Sequence, residues 1–345
     1  MPRREESHRV TRRVARREEG RDESLQATRR GALGLLAGGA AGLAGCSASD
    51  DPSDGEWSAV ETPTAGALHG VARTRTGPCA VGEGGRVLGR AGGEWRVELD
   101  SGPTGAQNGL NGVDATANGR RAWFCGDSGV VGRYDVGTGR VTDFSAPEGR
   151  TSTWEDVAVA GLAGQEWLFL ANGSGELLRG RHDGAGVSWD GVVEPGGGAS
   201  ALGVSFVDRG TGYVCDTSGG VYQTVDAGRE WRRTGIDAAG VNLHDVAPRG
   251  PDDVAVAAGD GVIFRYNGFA WTPVSVGEAD VRGIDRDRHA GLAVDAAGGV
   301  YEFTRNGWRP ADAPGDAPLC DVALGTVDVP SVAVGDGGTV LERPR

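Results

Sequence analysis

Asp245-Val246-Ala247, Gly261, Ile263-Phe264, Asn267-Gly268 and Trp271 follow one another in that order, and their spacing decides the fold. An acidic residue opens a short apolar strand. A second apolar run leads to a glycine turn, and a third strand follows at once. Asn-Gly then marks a tight hairpin, because both central residues of such a turn need positive φ. Trp271 opens a fourth strand.

The opening of this unit recurs along the chain as Gly70-Val71-Ala72, Gly112-Val113-Asp114, Asp156-Val157-Ala158, Gly203-Val204-Ser205, Asp245-Val246-Ala247, Gly283-Ile284-Asp285 and Asp321-Val322-Ala323. The spacing averages about 42 residues, within the range of a four-stranded propeller blade. Turn glycines keep the same register at Gly85, Gly129, Gly175, Gly219, Gly261, Gly298 and Gly338. A Trp marks the fourth strand at Trp95, Trp189, Trp231, Trp271 and Trp308, while the second copy has Val141 there. The seventh copy stops after its third strand. Glu56-Trp57-Ser58-Ala59-Val60-Glu61 reads like Glu94-Trp95-Arg96-Val97-Glu98 and supplies the missing strand. The expected fold is all-β, a seven-bladed β-propeller over residues 56–345 whose last blade is closed by the N-terminal strand. Closure removes sheet edges that invite aggregation.

Composition agrees. Gly is 62 of 345 residues, far above the usual ~7%, as many short strands joined by tight turns require. The net charge is −13, and every basic residue is Arg. This balance argues against nucleic-acid binding. It suits a chain kept soluble by self-repulsion in high salt, hence a halophilic source.

Residues 1–45 read as an address. Thr28-Arg29-Arg30-Gly31-Ala32-Leu33 is a twin-arginine pattern, followed by an apolar run to Gly45 and by Leu43-Ala44-Gly45-Cys46, which looks like a lipoprotein box. The run is short of the ~20 residues of a membrane-spanning helix. Cys46 is expected to carry lipid and to begin the mature chain. Residues 1–27 form a long charged lead with no later Met; an over-extended gene start would account for them. Residues 46–55 are an acidic tether. The ten residues between Cys46 and Trp57 span at most ~35 Å, which holds the ring close to the outer face of the membrane.

Val221-Tyr222-Gln223-Thr224-Val225-Asp226-Ala227-Gly228-Arg229-Glu230-Trp231 resembles an Asp-box, with Thr224, Asp226, Gly228 and Trp231 as its turn residues. From Trp57 to Arg343 the chain resembles the BNR-like and WD40/YVTN-type propellers, in particular the photosystem II stability/assembly-factor type. These motifs specify fold more than function, and no photosynthetic role is carried over. Asp-boxes also occur in sialidases. By that resemblance a hydrolase would need three Arg on a substrate carboxylate, a Tyr–Glu nucleophile pair and an acid Asp. The five Tyr read instead as strand packing residues.

There is no nucleophile elbow, phosphate loop or His pair at zinc spacing, so no catalytic residue, metal or cofactor is expected. With Cys46 lipidated, Cys79, Cys125, Cys215 and Cys320 remain. Cys125 and Cys215 share a slot with Val81, Ala171, Ala257, Val294 and Val334 and are expected to be buried free thiols. A Cys79–Cys320 bridge between neighbouring blades is the alternative.

Loops entering the first strand of each blade and loops joining its second and third strands open on one side of the ring. At the mouth there stand His69, Asn111, Glu155, His244 and Arg282, with Leu202 and Cys320 completing the circle. Glu83, Asp127 and Asp336 form an acidic arc beside them. These residues are the expected binding surface, since loops on a rigid scaffold commonly carry recognition. The expected function is an exported, monomeric, lipid-anchored, non-catalytic scaffold for a membrane or cell-surface protein. The alternatives are a sialidase-like glycan hydrolase and a solute-binding module whose channel is lined by His69, Glu155 and Arg282.

Overall fold

The computed structural model describes residues 55–344 apart from 185, 237 and 238. The twin-arginine run and Cys46 lie outside the described residues. Within them the chain forms seven four-stranded antiparallel sheets. Blades 1 to 6 span residues 68–99, 110–143, 154–189, 201–235, 243–275 and 281–310. Blade 7 takes three strands from 319–343 and its fourth from Ser58–Ala59. Ser58 stands opposite Glu342 and Ala59 opposite Leu341, and the Val60 N–H donates to the Val340 carbonyl. Ring closure by the N-terminal strand is therefore as the sequence predicts.

The inner strands are Leu68–Thr74, Leu110–Ala115, Trp154–Ala160, Ala201–Phe206, Leu243–Gly250, Val281–Arg286 and Leu319–Ala323. They surround a central channel. All seven turn glycines have φ between +65° and +87°, the left-handed region that disfavours side chains. Gly85 shows the second constraint. A Cβ there would lie 2.5 Å from the Gly102 nitrogen, because the link to the next blade crosses over the turn.

The described residues form seven separate hydrophobic clusters, each spanning two adjacent blades. Second strands such as Gly77–Gly82 and Ser331–Gly335 are buried throughout, as central strands covered on both faces should be. Cys79, Cys125 and Cys215 are buried free thiols inside these strands, and Cys320 is free and half-buried. The Cys79–Cys320 bridge is not formed. The Trp reading needs one adjustment: Trp189 ends its short strand Val187–Trp189 instead of opening it.

Candidate functional site

The antiparallel meander gives the ring two faces. The link face carries the blade-to-blade connections and the turns between second and third strands. The turn face carries the turns between first and second and between third and fourth strands.

The mouth positions on the link face share a local cause. In all seven blades the register between the inner and second strands slips at the second residue of the inner strand, a β-bulge, and blade 5 slips again between Pro248 and Gly250. The residues skipped at that second position are His69, Asn111, Glu155, Leu202, His244, Arg282 and Cys320. A bulge leaves its residue outside the ladder and re-aims the side chain. Two of these side chains meet backbone carbonyls of the next blade: His69 Nδ1 is 3.0 Å from the Leu110 carbonyl, and Asn111 Nδ2 donates to the Trp154 carbonyl at 3.1 Å. Arg282 points toward Cys320, whose thiol is 3.8 Å from Asp336 Oδ1. Burial holds the His244 imidazole below its ordinary pKa, against the pull of Asp280, whose Oδ2 lies 3.9 Å from Nε2. Burial also raises the Glu155 carboxyl, helped by the Asp127 charge. Glu83, Asp127 and Asp336 each open a one-turn 3-10 helix on this face and are exposed. Glu83 accepts the Ala67 N–H, and Asp127 accepts the Thr153 hydroxyl.

Charge separates the faces. Among the described residues, link-face loops carry fourteen carboxylates and one guanidinium, Arg150. Turn-face loops and the chain entry at Glu56 carry nine carboxylates, one of them the buried Glu166, against six Arg and His289.

Inside the channel lies a feature that the sequence reading passed over. Five inner-strand Asp residues bind backbone N–H groups of the next blade. Asp156 accepts from Val204, Asp245 from Ile284 and Asp321 from Val71, each at 2.8 Å. Asp114 accepts from Val159 and Asp285 from Leu324, one level deeper, each at 2.7 Å. Asp114, Asp156, Asp245 and Asp321 also accept the N–H of their own following residue, so each carboxylate clamps two strands. Burial pushes their pKa values up, to about 7 for Asp114, about 6 for Asp245 and about 8 for Asp321, and Asp156 well above its ordinary value. Charge repulsion adds to this: Asp245 and Asp321 raise Asp156, Asp245 and Asp285 raise Asp321, and Asp285 raises Asp245. Burial raises Asp285 as well, and the Arg73 guanidinium counters part of the effect.

The channel holds a cavity of about 650 Å³. It runs from the Asp level to the turn face, where Arg73, Arg75, Thr116, Asn118 and Asp328 line it. None of the five mouth residues lines this cavity, so the channel opening with ligand-sized room lies at the other end from the mouth.

A second buried polar group sits between blades 2 and 3. Glu166 accepts from Arg121 at 2.7 Å and lies 3.0 Å from His182 Nδ1, while Arg133 lies 2.7 Å from His182 Nε2. Burial lowers the pKa of this imidazole, and the Arg133 and Arg121 charges add to that against the pull of Glu166. A guanidinium has only N–H groups to offer, so Nε2 accepts from Arg133 and Nδ1 is the nitrogen that faces Glu166.

The turn Thr224–Trp231 is self-capped. Gly228 N–H donates to Thr224 Oγ1, Asp226 Oδ1 accepts from Arg229 and Glu230, and Gly228 has φ +76°. Trp231 packs edge-on against Phe206. Tyr134 donates to Glu98 at 2.6 Å, a Tyr–carboxylate pair, but it packs between blades 1 and 2 and burial raises its pKa, opposite to what a phenolate nucleophile needs. Among the described residues no three His, Cys, Asp or Glu side chains are grouped to hold a metal, and no helix is long and apolar enough to cross a membrane.

No family model and no curated protein matches the chain. Solved structures do. The WD40 β-propeller domain of Doa1 aligns with 86% of this chain and 98% of its own at a TM-score of 0.66 and 11% identity. YCF48 from Cyanidioschyzon merolae aligns with 84% of this chain and 98% of its own at 0.63 and 15%, and a structure described as YCF48 bound to D1 peptide aligns at 0.65 and 14%, over 84% and 95%. Virginiamycin B lyase from Staphylococcus aureus aligns with 84% and 99% at 0.67 and 11%. At these identities the likeness shows the fold alone: the chain is a WD40-like seven-bladed β-propeller.

Proposed function

We propose that the chain is an exported, lipid-anchored scaffold whose link face binds a basic segment of a membrane or cell-surface protein. The observation that carries this reading is the charge division: fourteen loop carboxylates to one guanidinium on the link face, against near balance on the other. A surface made acidic only for solubility would show the excess on both faces. Complementary charge steers encounter and fixes orientation more than it adds raw affinity. The bulged mouth residues supply polar groups at the centre, and the arc of Glu83, Asp127 and Asp336 supplies charge at one side. Peptide capture by a propeller has a precedent in the YCF48 structure with its D1 peptide. The anchor is Cys46, and Thr224, Asp226, Gly228 and Trp231 form a structural Asp-box turn.

Crosslinking in native membranes at native salt, with captured proteins identified by mass spectrometry, tests this. A partner lost on charge reversal of Glu83, Asp127 and Asp336, and weakened by alanine at His69, Glu155, His244 and Arg282, supports it. A partner indifferent to both sets removes the link face from consideration. The cavity of about 650 Å³ favours a second reading, a solute site at the turn-face end of the channel, for which loss of solute binding in Arg73→Ala is the check.

A further inference from the structure

Three observations about the turn face converge. The first concerns apolar side chains. Among the described residues, the exposed large hydrophobic side chains are Val97, Leu162, Val207, Val225, Phe269 and Val327. Val97 lies in an outer strand. The other five all sit in turn-face loops, and Phe269 and Val327 are 95% and 87% exposed at loop tips. Single exposed apolar residues are ordinary; five confined to one plane of a two-faced ring are not.

The second is charge. The link-face loops would be repelled by an anionic headgroup layer, whereas the turn-face loops offer six Arg among their carboxylates. The negative surface potential of such a layer acts over about one Debye length, so only the apposed face feels it.

The third is where the chain enters the ring. Ser58–Ala59 runs antiparallel to Val340–Arg343, the third strand of blade 7, which ends on the turn face. The residues before Ser58 therefore arrive on the turn face. Gly55 donates its N–H to the Pro344 carbonyl there. Ten residues separate Trp57 from Cys46 and reach at most ~35 Å. An inner strand as long as Leu243–Gly250 already rises about 25 Å, so a tether led around the rim to the link face would be almost used up.

We propose that the turn face is a bilayer-docking surface, on which Phe269, Val327, Val225 and Leu162 rest at the headgroup level while the acidic link face is turned away from the membrane. This rests on the lipid-anchored reading above. It adds which way the ring faces and what the loop-tip side chains do. Apolar tips at an interface bind weakly and reversibly; one acyl anchor becomes durable when a second signal assists it, and these tips provide that signal.

The test uses the full chain in a Cys320→Ser background, with Cys46 coupled through its thiol to a maleimide lipid in protein-free vesicles of phosphatidylcholine and phosphatidylglycerol. Hydrogen exchange is compared with and without vesicles. The expected result is exchange slowed several-fold in the loops at 225–230, 267–270 and 324–330. Loops 144–153 and 311–318 should not change. The protection should be lost in Phe269→Ser/Val327→Ser, two loop-tip changes that leave the core intact. Protection of the link-face loops, or of none, overturns the proposal. Protection seen in native membranes but not in these vesicles also overturns it, in favour of a protein partner on this face. Mass analysis of Cys46 from native membranes is read separately. An unmodified thiol there ends the lipid-anchor reading, whereas the coupled-vesicle result still decides the docking face.

Discussion

The seam between blades 7 and 1 and the seam between blades 1 and 2 are built from the same repeat and held differently. At the first, Asp321 grips Val71 of the next inner strand. At the second, position 70 is Gly, no carboxylate stands at that level, and His69 reaches the Leu110 carbonyl instead. Around the ring that position reads Gly, Gly, Asp, Gly, Asp, Gly, Asp from blade 1 to blade 7. The alternation has a steric reason. A Cβ on Gly283 would lie 2.7 Å from the Asp321 Cα, and one on Gly112 or Gly203 would lie 2.8 Å from the Asp156 or Asp245 Cα. Each Asp needs a bare neighbour behind it. An odd ring cannot alternate all the way round, and the break falls between blades 1 and 2. One level deeper, Asp114 and Asp285 clamp the seams from blade 2 to 3 and from 6 to 7. The seam from blade 4 to 5 has Ser205 at that level, and it is tied further out, where Tyr213 donates to the Pro251 carbonyl at 2.6 Å and Trp271 Nε1 to the Thr234 carbonyl at 2.9 Å.

The largest loss of stability is expected at the latched seam between blades 7 and 1. Asp321→Ala leaves the Val71 and Val322 N–H groups without their acceptor, and each such loss costs about 1–3 kcal/mol. Urea denaturation should show a loss of about 2–5 kcal/mol, and the Ser205→Ala control under about 1 kcal/mol. Equal losses would mean that the latch adds nothing beyond packing. Gly283→Ala comes next. Overpacking against Asp321 should cost about 1–3 kcal/mol, and the same change at solvent-facing Gly186 should cost little.

Acidity sharpens the comparison. The raised values of Asp114, Asp245 and Asp321 mean that the folded chain holds protons which the unfolded chain has released. Between the ordinary carboxyl value near 3.8 and about 8, stability should therefore fall as pH rises. Melting temperature should be higher at pH 5 than at pH 8. Asp321→Asn should flatten the upper part of this slope. Its own destabilisation, from an amide that accepts only one of the two N–H groups, should be greatest at pH 5 and smallest above pH 8. A slope unchanged in that variant would remove Asp321 from the account. The smallest effect is expected at the outer rim. Glu94 and Arg96 form an exposed pair, and breaking it should change stability by under about 0.5 kcal/mol.

The sequence carried the architecture because the repeat is local. A turn glycine, a hairpin dipeptide and a strand-opening residue can each be recognised without knowing their neighbours. The latches lie between blades, and strand patterns do not encode which N–H a carboxylate will meet. Their signal was nevertheless present: Asp156, Asp245 and Asp321 stand at positions where the adjacent copies have Gly. Read along one strand, those Asp residues look like strand openers. Read across copies, they look like contacts. The mouth positions were legible as a set, while the bulge that sets them apart was not, because a bulge is a property of two paired strands. The Arg121–Glu166–His182–Arg133 group joins residues too far apart in sequence for any spacing rule to link them.

The outermost strand of the last blade, Ser58–Ala59, is made before every other described strand. Ser58 and its partner Glu342 are separated by 284 positions, so the ring cannot shut until synthesis has passed Glu342. Joining ends so far apart is a late and entropically costly step. Until then the edge at Val340–Arg343 stays unpaired. A chain cut short before Val340 would lack this closing pair and keep a sheet edge open for good, the kind of edge that templates aggregation.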